Sequence, residues 1–184
     1  MPDLKKPLST TAKTMNSSQN QIVVAAASAL SVILIATSFP FPYLTLSYTN
    51  GSLKIYYAKA TEETSSGTNE TGFNKINRVL ITTIFQFICS IALSLLALYK
   101  IQQDRKRKLI LSTFLPFLLS FGLNMLFMFL DKNNFKTTLG LVMSFGPAFF
   151  LDLTSGLIQI AAMVYYFVSS GNEAKNALPT YALK

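Results

Sequence analysis

At 184 residues, with 51% hydrophobic and 13% charged side chains, the chain is too apolar for an ordinary soluble domain. Sixteen Lys and Arg against eight Asp and Glu leave a net charge of +8, clumped between long apolar runs. The absence of histidine excludes an imidazole base, a His-containing triad and a His metal ligand, and one cysteine excludes an internal disulfide.

Residues 1–21 read as a polar tail carrying Lys5, Lys6 and Lys13. The first apolar run, residues 22–39, ends at the "PFP" of residues 40–42. A basic head, an apolar run and the "ATS" of residues 36–38 also fit a cleaved signal peptide. The segment ahead of the run is long for that, and the run itself is long enough to span a bilayer. Residues 79–99 and 109–130 are two further runs without a charge. The fourth is broken by Gly146-Pro147, so Pro147 opens a span over residues 147–168. About 20 apolar residues cross a hydrocarbon core of about 30 Å, and each run qualifies. The expected fold is an all-α membrane protein: a four-transmembrane-helix bundle with a small extracellular β-hairpin or sheet in its first outer loop.

That loop, residues 40–78, contains "YLTLSYTNGSLKIYY" (43–57), which alternates on both sides of Asn50-Gly51. A type I′ turn there pairs Tyr48 with Leu53, Leu46 with Ile55 and Leu44 with Tyr57, placing six apolar side chains on one face. Thr45, Ser47, Thr49, Ser52, Lys54 and Tyr56 take the other face. Two strands alone are marginal in water, so "FPFP" (39–42) and the segment leading into Asn74–Arg78 are expected to add strand material. "TEETSSGTNETG" (61–72) reads as a polar, flexible surface stretch.

Charge sets the orientation. The short loop at residues 100–108 holds five basic residues, and with both tails (169–184 carrying Lys175 and Lys184) one side collects ten of the sixteen. Positive loops stay in the cytoplasm, which puts both termini inside and residues 40–78 and 131–146 outside. The basic cluster is a topology signal that also touches anionic lipid, and nothing indicates nucleic-acid binding. Glycosylation sequons at Asn50 and Asn69 fall in the outer loop; a third, at Asn16, falls in the inner tail and is expected to be silent.

Inside termini, a large first outer loop with a hairpin, a short basic inner loop and a short second outer loop together resemble the claudin, peripheral myelin protein and epithelial membrane protein superfamily of tetraspan proteins. "SFGPAFFLDL" (144–153) is similar to the start of that family's fourth span, and the 43–57 hairpin occupies the place of its Trp-containing motif. This chain has no Trp, so Tyr43 and Tyr56 or Tyr57 stand where the family has its aromatics. The outer-loop disulfide typical of claudins is ruled out by the lone Cys89. The resemblance implies a tetraspan fold and a role in adhesion or junctions.

Enzymatic chemistry has little to use: Cys89 lies among apolar residues as packing, and no phosphate loop or spaced carboxylate pair occurs. No catalytic residue, metal ligand or cofactor is expected. Asp152 is the one charged residue within a span, with Gln86, Asn124 and Gln159 the other strongly polar side chains there. Counting 1.5 Å per residue, Gln86 lies about 10 Å below Val79, Asn124 about 9 Å below Leu130 and Asp152 about 8 Å below Pro147. The three are expected to meet in the bundle interior, with Asp152 contacting Asn124 or Gln86. Ala25, Ala27, Ala29 and Ser31, with Ser155 and Gly156, offer small surfaces for close helix packing.

The function expected is that of a non-enzymatic tetraspan membrane protein organising cell-surface contacts or membrane domains. The alternative is an ion channel or an auxiliary subunit of a channel or transporter, which four short spans allow only through oligomers or a partner. Its partners are the lipid bilayer and, laterally, copies of itself or other membrane proteins, in the plasma membrane or else an endosomal one.

Overall fold

The computed structural model describes residues 8–72, 77–99, 102–139 and 142–176. Lys5, Lys6, Asn74, Lys100 and Lys184 lie outside them, as do the side chains of Lys13, Asn16 and Lys175. Four helices dominate: α1 (Leu8–Ser38), α2 (Arg78–Leu98), α3 (Gln103–Leu139) and α4 (Pro147–Asn176). Between α1 and α2 come β1 (Leu44–Tyr48), β2 (Gly51–Ile55), β3 (Lys59–Thr64) and β4 (Gly67–Gly72); β5 (Ser144–Phe145) precedes α4. Each helix contains a stretch long and apolar enough to cross a membrane, the shortest being Gln19–Ser38.

The helices overrun the boundaries expected from hydropathy. Residues 8–21 are helical rather than a plain tail, the 100–108 loop gives way to helix at Gln103, and α3 continues through residues 131–139 of the expected outer loop. Hydropathy marks where hydrocarbon would end, whereas a helix ends at a breaker. Residues 103–108 and 131–139 contain no Gly or Pro, and Gly140 is the first glycine after them. Local chemistry fixes two starts. Asn77 caps α2, its side chain accepting from the Val79 N–H at 2.9 Å, and Pro147 opens α4 where a missing N–H costs nothing.

α1 packs against both α2 and α4, and α2 packs on α3. α3 meets α4 at Gly156, where an added Cβ would run into the Phe121 ring. The sheet caps one end of this ring, while α1 begins and α4 ends at the other. Many large apolar side chains face outward. Ile33, Ile88, Leu119, Phe129 and Leu157 are each more than half exposed, whereas Ser28, Ser31, Gln86, Asn124, Asp152 and Gln159 are buried. A soluble protein has the reverse distribution.

The strands form one antiparallel sheet in the order β4-β3-β2-β1-β5. The hairpin differs in register from the expected one: Leu46 faces Leu53, Leu44 faces Ile55 and Tyr48 faces Gly51, so Thr49-Asn50 make the turn. No non-glycine residue described has positive φ, which excludes a type I′ turn at Asn50-Gly51. The slide is by two residues, which keeps every side chain on its face; alternation therefore could not distinguish the two registers. The position of Gly51 separates them. A Cβ there would collide with the Glu63 carbonyl oxygen on β3 and press on the Tyr48 ring. Glycine is needed for close approach, not for its φ.

Two further expectations are corrected. "FPFP" forms a turn, not a strand, with the Phe41 N–H donating to the Ser38 carbonyl at 3.0 Å. Residues 61–72 are ordered strand and turn rather than a flexible stretch, and the turn closes at Gly67, whose φ of 145° favours glycine. β3 and β4 lack a clean apolar alternation because cross-strand pairs tie them instead: Lys54 with Glu63 and Lys59 with Glu70, both at 2.6 Å. The expected strand lead-in to Asn74 lies outside the described residues, and Arg78 already belongs to α2.

The base of the apolar sheet face packs on the helix ends. Tyr43, Leu44, Ile55 and Tyr57 are buried there with Val79 and Phe149, while Leu46 and Leu53 are only partly covered. A second apolar cluster, around Leu93, Phe117, Met163 and Tyr166, fills the opposite half of the bundle.

Replacing Gly51 by Val should destabilise the protein by about 1–3 kcal/mol, because β3 must move away to admit the side chain. Thermal unfolding of purified protein checks this; an unchanged midpoint would contradict the strand position given to Gly51.

Candidate functional site

Helix periodicity brings the polar side chains to the bundle interior. On α2, Thr82, Gln86 and Ser90 are four residues apart and share a face; on α4, Asp152, Ser155 and Gln159 do the same at three and four. Asn124 on α3 joins the two helices. Its Nδ2 donates to Asp152 Oδ2 at 3.1 Å and lies 3.5 Å from Gln86 Oε1. Its Oδ1 accepts from the Thr82 and Thr83 hydroxyls at 3.1 and 3.3 Å. Gln86, Asn124 and Asp152, expected from depth alone to meet, are thus brought together.

The sheet contributes a fourth member. Tyr57 lies just beyond β2, and its hydroxyl donates to Asp152 Oδ2 at 2.7 Å while lying 3.1 Å from the Ser38 hydroxyl at the end of α1. Its ring stacks on Tyr43 at 5.8 Å and tilts against Phe39 at 5.5 Å. Burial, reinforced by the Asp152 carboxylate, pushes the Tyr57 phenol well above its ordinary range. It therefore stays protonated and remains a donor.

A second junction sits beside the first. The Tyr43 hydroxyl donates to Asp131 Oδ2 at 3.1 Å and accepts from Asn77 Nδ2 at 3.2 Å, and Arg78 pairs with the other Asp131 oxygen. The start of the hairpin is thereby tied to both α2 and α3. Burial raises the Tyr43 phenol as well, against the lowering effect of Asn77.

Each junction joins one carboxylate to amide and hydroxyl groups, and the described residues hold no group of three or more potential metal ligands among His, Cys, Asp and Glu. Cys89 is buried in the lower apolar cluster. At both junctions hydrogen bonds cross from sheet to helix.

No family model matches this chain, and no curated protein does either.

The remaining expected residues fall elsewhere. Asn50 is exposed at the hairpin turn and Asn69 is exposed on β4. Gln159 lies deeper in the bundle, donating to the Ser28 hydroxyl at 3.0 Å. The Ala25, Ala27, Ala29 and Ser31 stripe does not share one helix face: Ala29 is exposed, and the buried set is Val24, Ala25, Ser28 and Ser31. A spacing of two turns a helix by about 200°, so alternate residues part company. Within the true face, Ser31 donates to the Ser155 carbonyl at 2.8 Å and holds α1 against α4.

Sequence reasoning missed Ser38, Thr82 and Thr83 as members of the cluster and Tyr57 as the Asp152 donor. The i, i+4, i+8 polar series on α2 was a usable signal. The Tyr57 contact joins residues 95 positions apart, and no local pattern announces it.

In the unfolded chain Tyr57 titrates near its ordinary 10.0, and in the folded chain higher. The folded state therefore keeps a proton that the unfolded state loses. Its contribution is complete below that ordinary value and is lost as the pH rises toward the folded one. Tyr57→Phe should cost about 1–3 kcal/mol near neutral pH, by leaving Asp152 short of a donor, and should reduce the alkaline loss of stability. Unfolding midpoints in detergent micelles from neutral to alkaline pH measure both; an alkaline slope identical to the parent's would refute the assignment.

Proposed function

We propose that the chain is a non-enzymatic, four-span membrane protein of claudin-like topology that presents its sheet outside the cell to organise contacts with neighbouring membrane proteins. The observation that carries this reading is the docking of the sheet. Tyr57 on Asp152 and Tyr43 on Asp131 join it to α4 and α3, and β5 joins it to the connection between them. A sheet held at its base and along its β1 edge moves with the bundle and offers a fixed surface to a partner.

The membrane part of the reading rests on the outward apolar surface of all four helices, far larger than the patches soluble monomers expose. Orientation rests on charge. Arg105, Lys106, Arg107 and Lys108 stand at the end opposite the sheet, where the positive-inside rule places the cytoplasm. Four inside-ended spans, a first outer connection rich in strand and a short basic inner connection support the resemblance to the claudin and peripheral myelin protein superfamily. The plasma membrane is the location this reading favours.

Two measurements test it. In mammalian cells the protein should carry glycosidase-sensitive mass that disappears when Asn50 and Asn69 are both replaced by Gln; a shift that instead depends on Asn16 would reverse the orientation. Lysine crosslinking in native membranes should capture the chain with itself or another surface protein through Lys54 or Lys59, which lie on the sheet. Ionic current on expression of the chain alone, with no crosslinked species, would favour the channel reading.

A further inference from the structure

Five buried polar atoms in the bundle have no hydrogen-bond partner: Gln86 Nε2 and Ser90 Oγ on α2, and Asp152 Oδ1, Ser155 Oγ and Gln159 Oε1 on α4. All five residues are fully buried. The sixth such atom among the described residues, Thr61 Oγ1, belongs to the sheet. Since α1 neighbours both α2 and α4, and α2 and α3 are packed together, α2 and α4 stand diagonally across the ring. Gln86 and Asp152 both face Asn124 on α3, while Gln159 faces Ser28 and the Ser155 carbonyl faces Ser31 on α1. Asp152 to Gln159 spans seven residues, about 10 Å along the bundle axis.

Neighbouring side chains do not resolve the whole shortage. The Ser38 and Thr83 hydroxyls beside Asp152 each have one proton, for which the carboxylate competes with a carbonyl of the same helix at 2.8 and 2.9 Å. Gln86 Oε1 already faces Asn124, and Gln159 Nε2 already donates to Ser28. Whichever way either amide is turned, one of its two polar atoms is left over.

We infer that the axis between Asp152 and Gln159 is a binding site for a short file of ordered water molecules. The mixture of groups selects the occupant. An amide N–H needs an acceptor, a carboxylate oxygen and an amide oxygen need donors, and two hydroxyls take either. A metal cation would satisfy only the oxygens and would repel the Gln86 N–H. Water supplies both roles, at about three hydrogen bonds per molecule, so about two or three molecules account for the five atoms. The site is closed. Tyr57 and the sheet cover it above, and Leu93, Phe117, Met163 and Tyr166 fill the axis below. It is an internal hydration site, not a conducting pore.

The test is water-edited solid-state NMR on the full-length chain, labelled at glutamine, in phosphatidylcholine bilayers. The side-chain amides of Gln86 and Gln159, assigned by their disappearance in Gln86→Leu and Gln159→Leu, should receive magnetisation from water despite their burial. No transfer to either amide, at mixing times that saturate surface amides, would overturn the inference. A second measurement does not depend on those variants. In a hydrated axis, Ser90→Ala and Ser155→Ala lose a water contact and lower the unfolding midpoint; in a dry axis, removing an unsatisfied hydroxyl leaves it unchanged or raises it. A midpoint that shifts when sodium or potassium replaces choline at equal ionic strength would overturn water in favour of a cation.

Discussion

Hydrocarbon forms no hydrogen bonds, and that constraint organises the structure that follows from reading the helices as spans. Backbone groups meet it by helix formation, and polar side chains meet it by turning inward. Ser28, Ser31, Thr82, Thr83, Gln86, Asn124, Asp152 and Gln159 are all buried, while the outer surfaces of the same helices are leucine, isoleucine, valine and phenylalanine. Helix association in such a setting gains little from apolar burial, since lipid tails are as apolar as leucine. It depends on close packing, as at Gly156 against Phe121, and on bonds such as Ser31 to the Ser155 carbonyl. Each interhelical hydrogen bond is worth about 1 kcal/mol. Their number and placement set the arrangement more than the strength of any one.

The sheet solves a related problem at the water side. Its apolar face needs cover, and its base obtains that cover from the ends of the helices. The same contact gives Asp152 a donor that no helix provides. Tyr57 combines both roles: its ring is packed between Phe39 and Tyr43, and its hydroxyl reaches the carboxylate. Removing the carboxylate would leave a buried phenol without its acceptor, and removing the phenol would strip a buried carboxylate of a donor. Sheet and bundle are therefore coupled in both directions.

Much of this was legible in the sequence, for identifiable reasons. The four apolar helices follow from run length, and the meeting of Gln86, Asn124 and Asp152 follows from helical rise and the direction of each span. The faces of the β1–β2 hairpin follow from period-two alternation. Its register does not, because a slide of two preserves the alternation and only the close approach of β3 to Gly51 distinguishes the registers. β3 and β4 were read as flexible because their pattern is polar on both faces and their stabilising pairs lie across strands. The ends of α1 and α3 were misplaced because hydropathy reports the surroundings of a helix and not its termination. β5 is two residues long and has no local signature; it exists because β1 lies beside it.

Asp152 is where the sheet and α3 both bond to α4, and its position in the chain determines when those bonds can form. Its donors come from α3 and from the segment after β2, and the Ser38 hydroxyl that lies beside Tyr57 comes from the end of α1. α4 follows all of these partners in the sequence, so N-to-C synthesis makes the carboxylate after them. Until then Asn124 can bond Thr82, Thr83 and Gln86 across α2 and α3, and Tyr57 can pack against Phe39 and Tyr43 without a hydroxyl acceptor other than Ser38. The Asp152 bonds and the pairing of β5 with β1 thus both depend on the part of the chain that is made last. The polar residue that is most costly in the fourth span is also the one that bonds the sheet to it, which gives a structural reason for its being there.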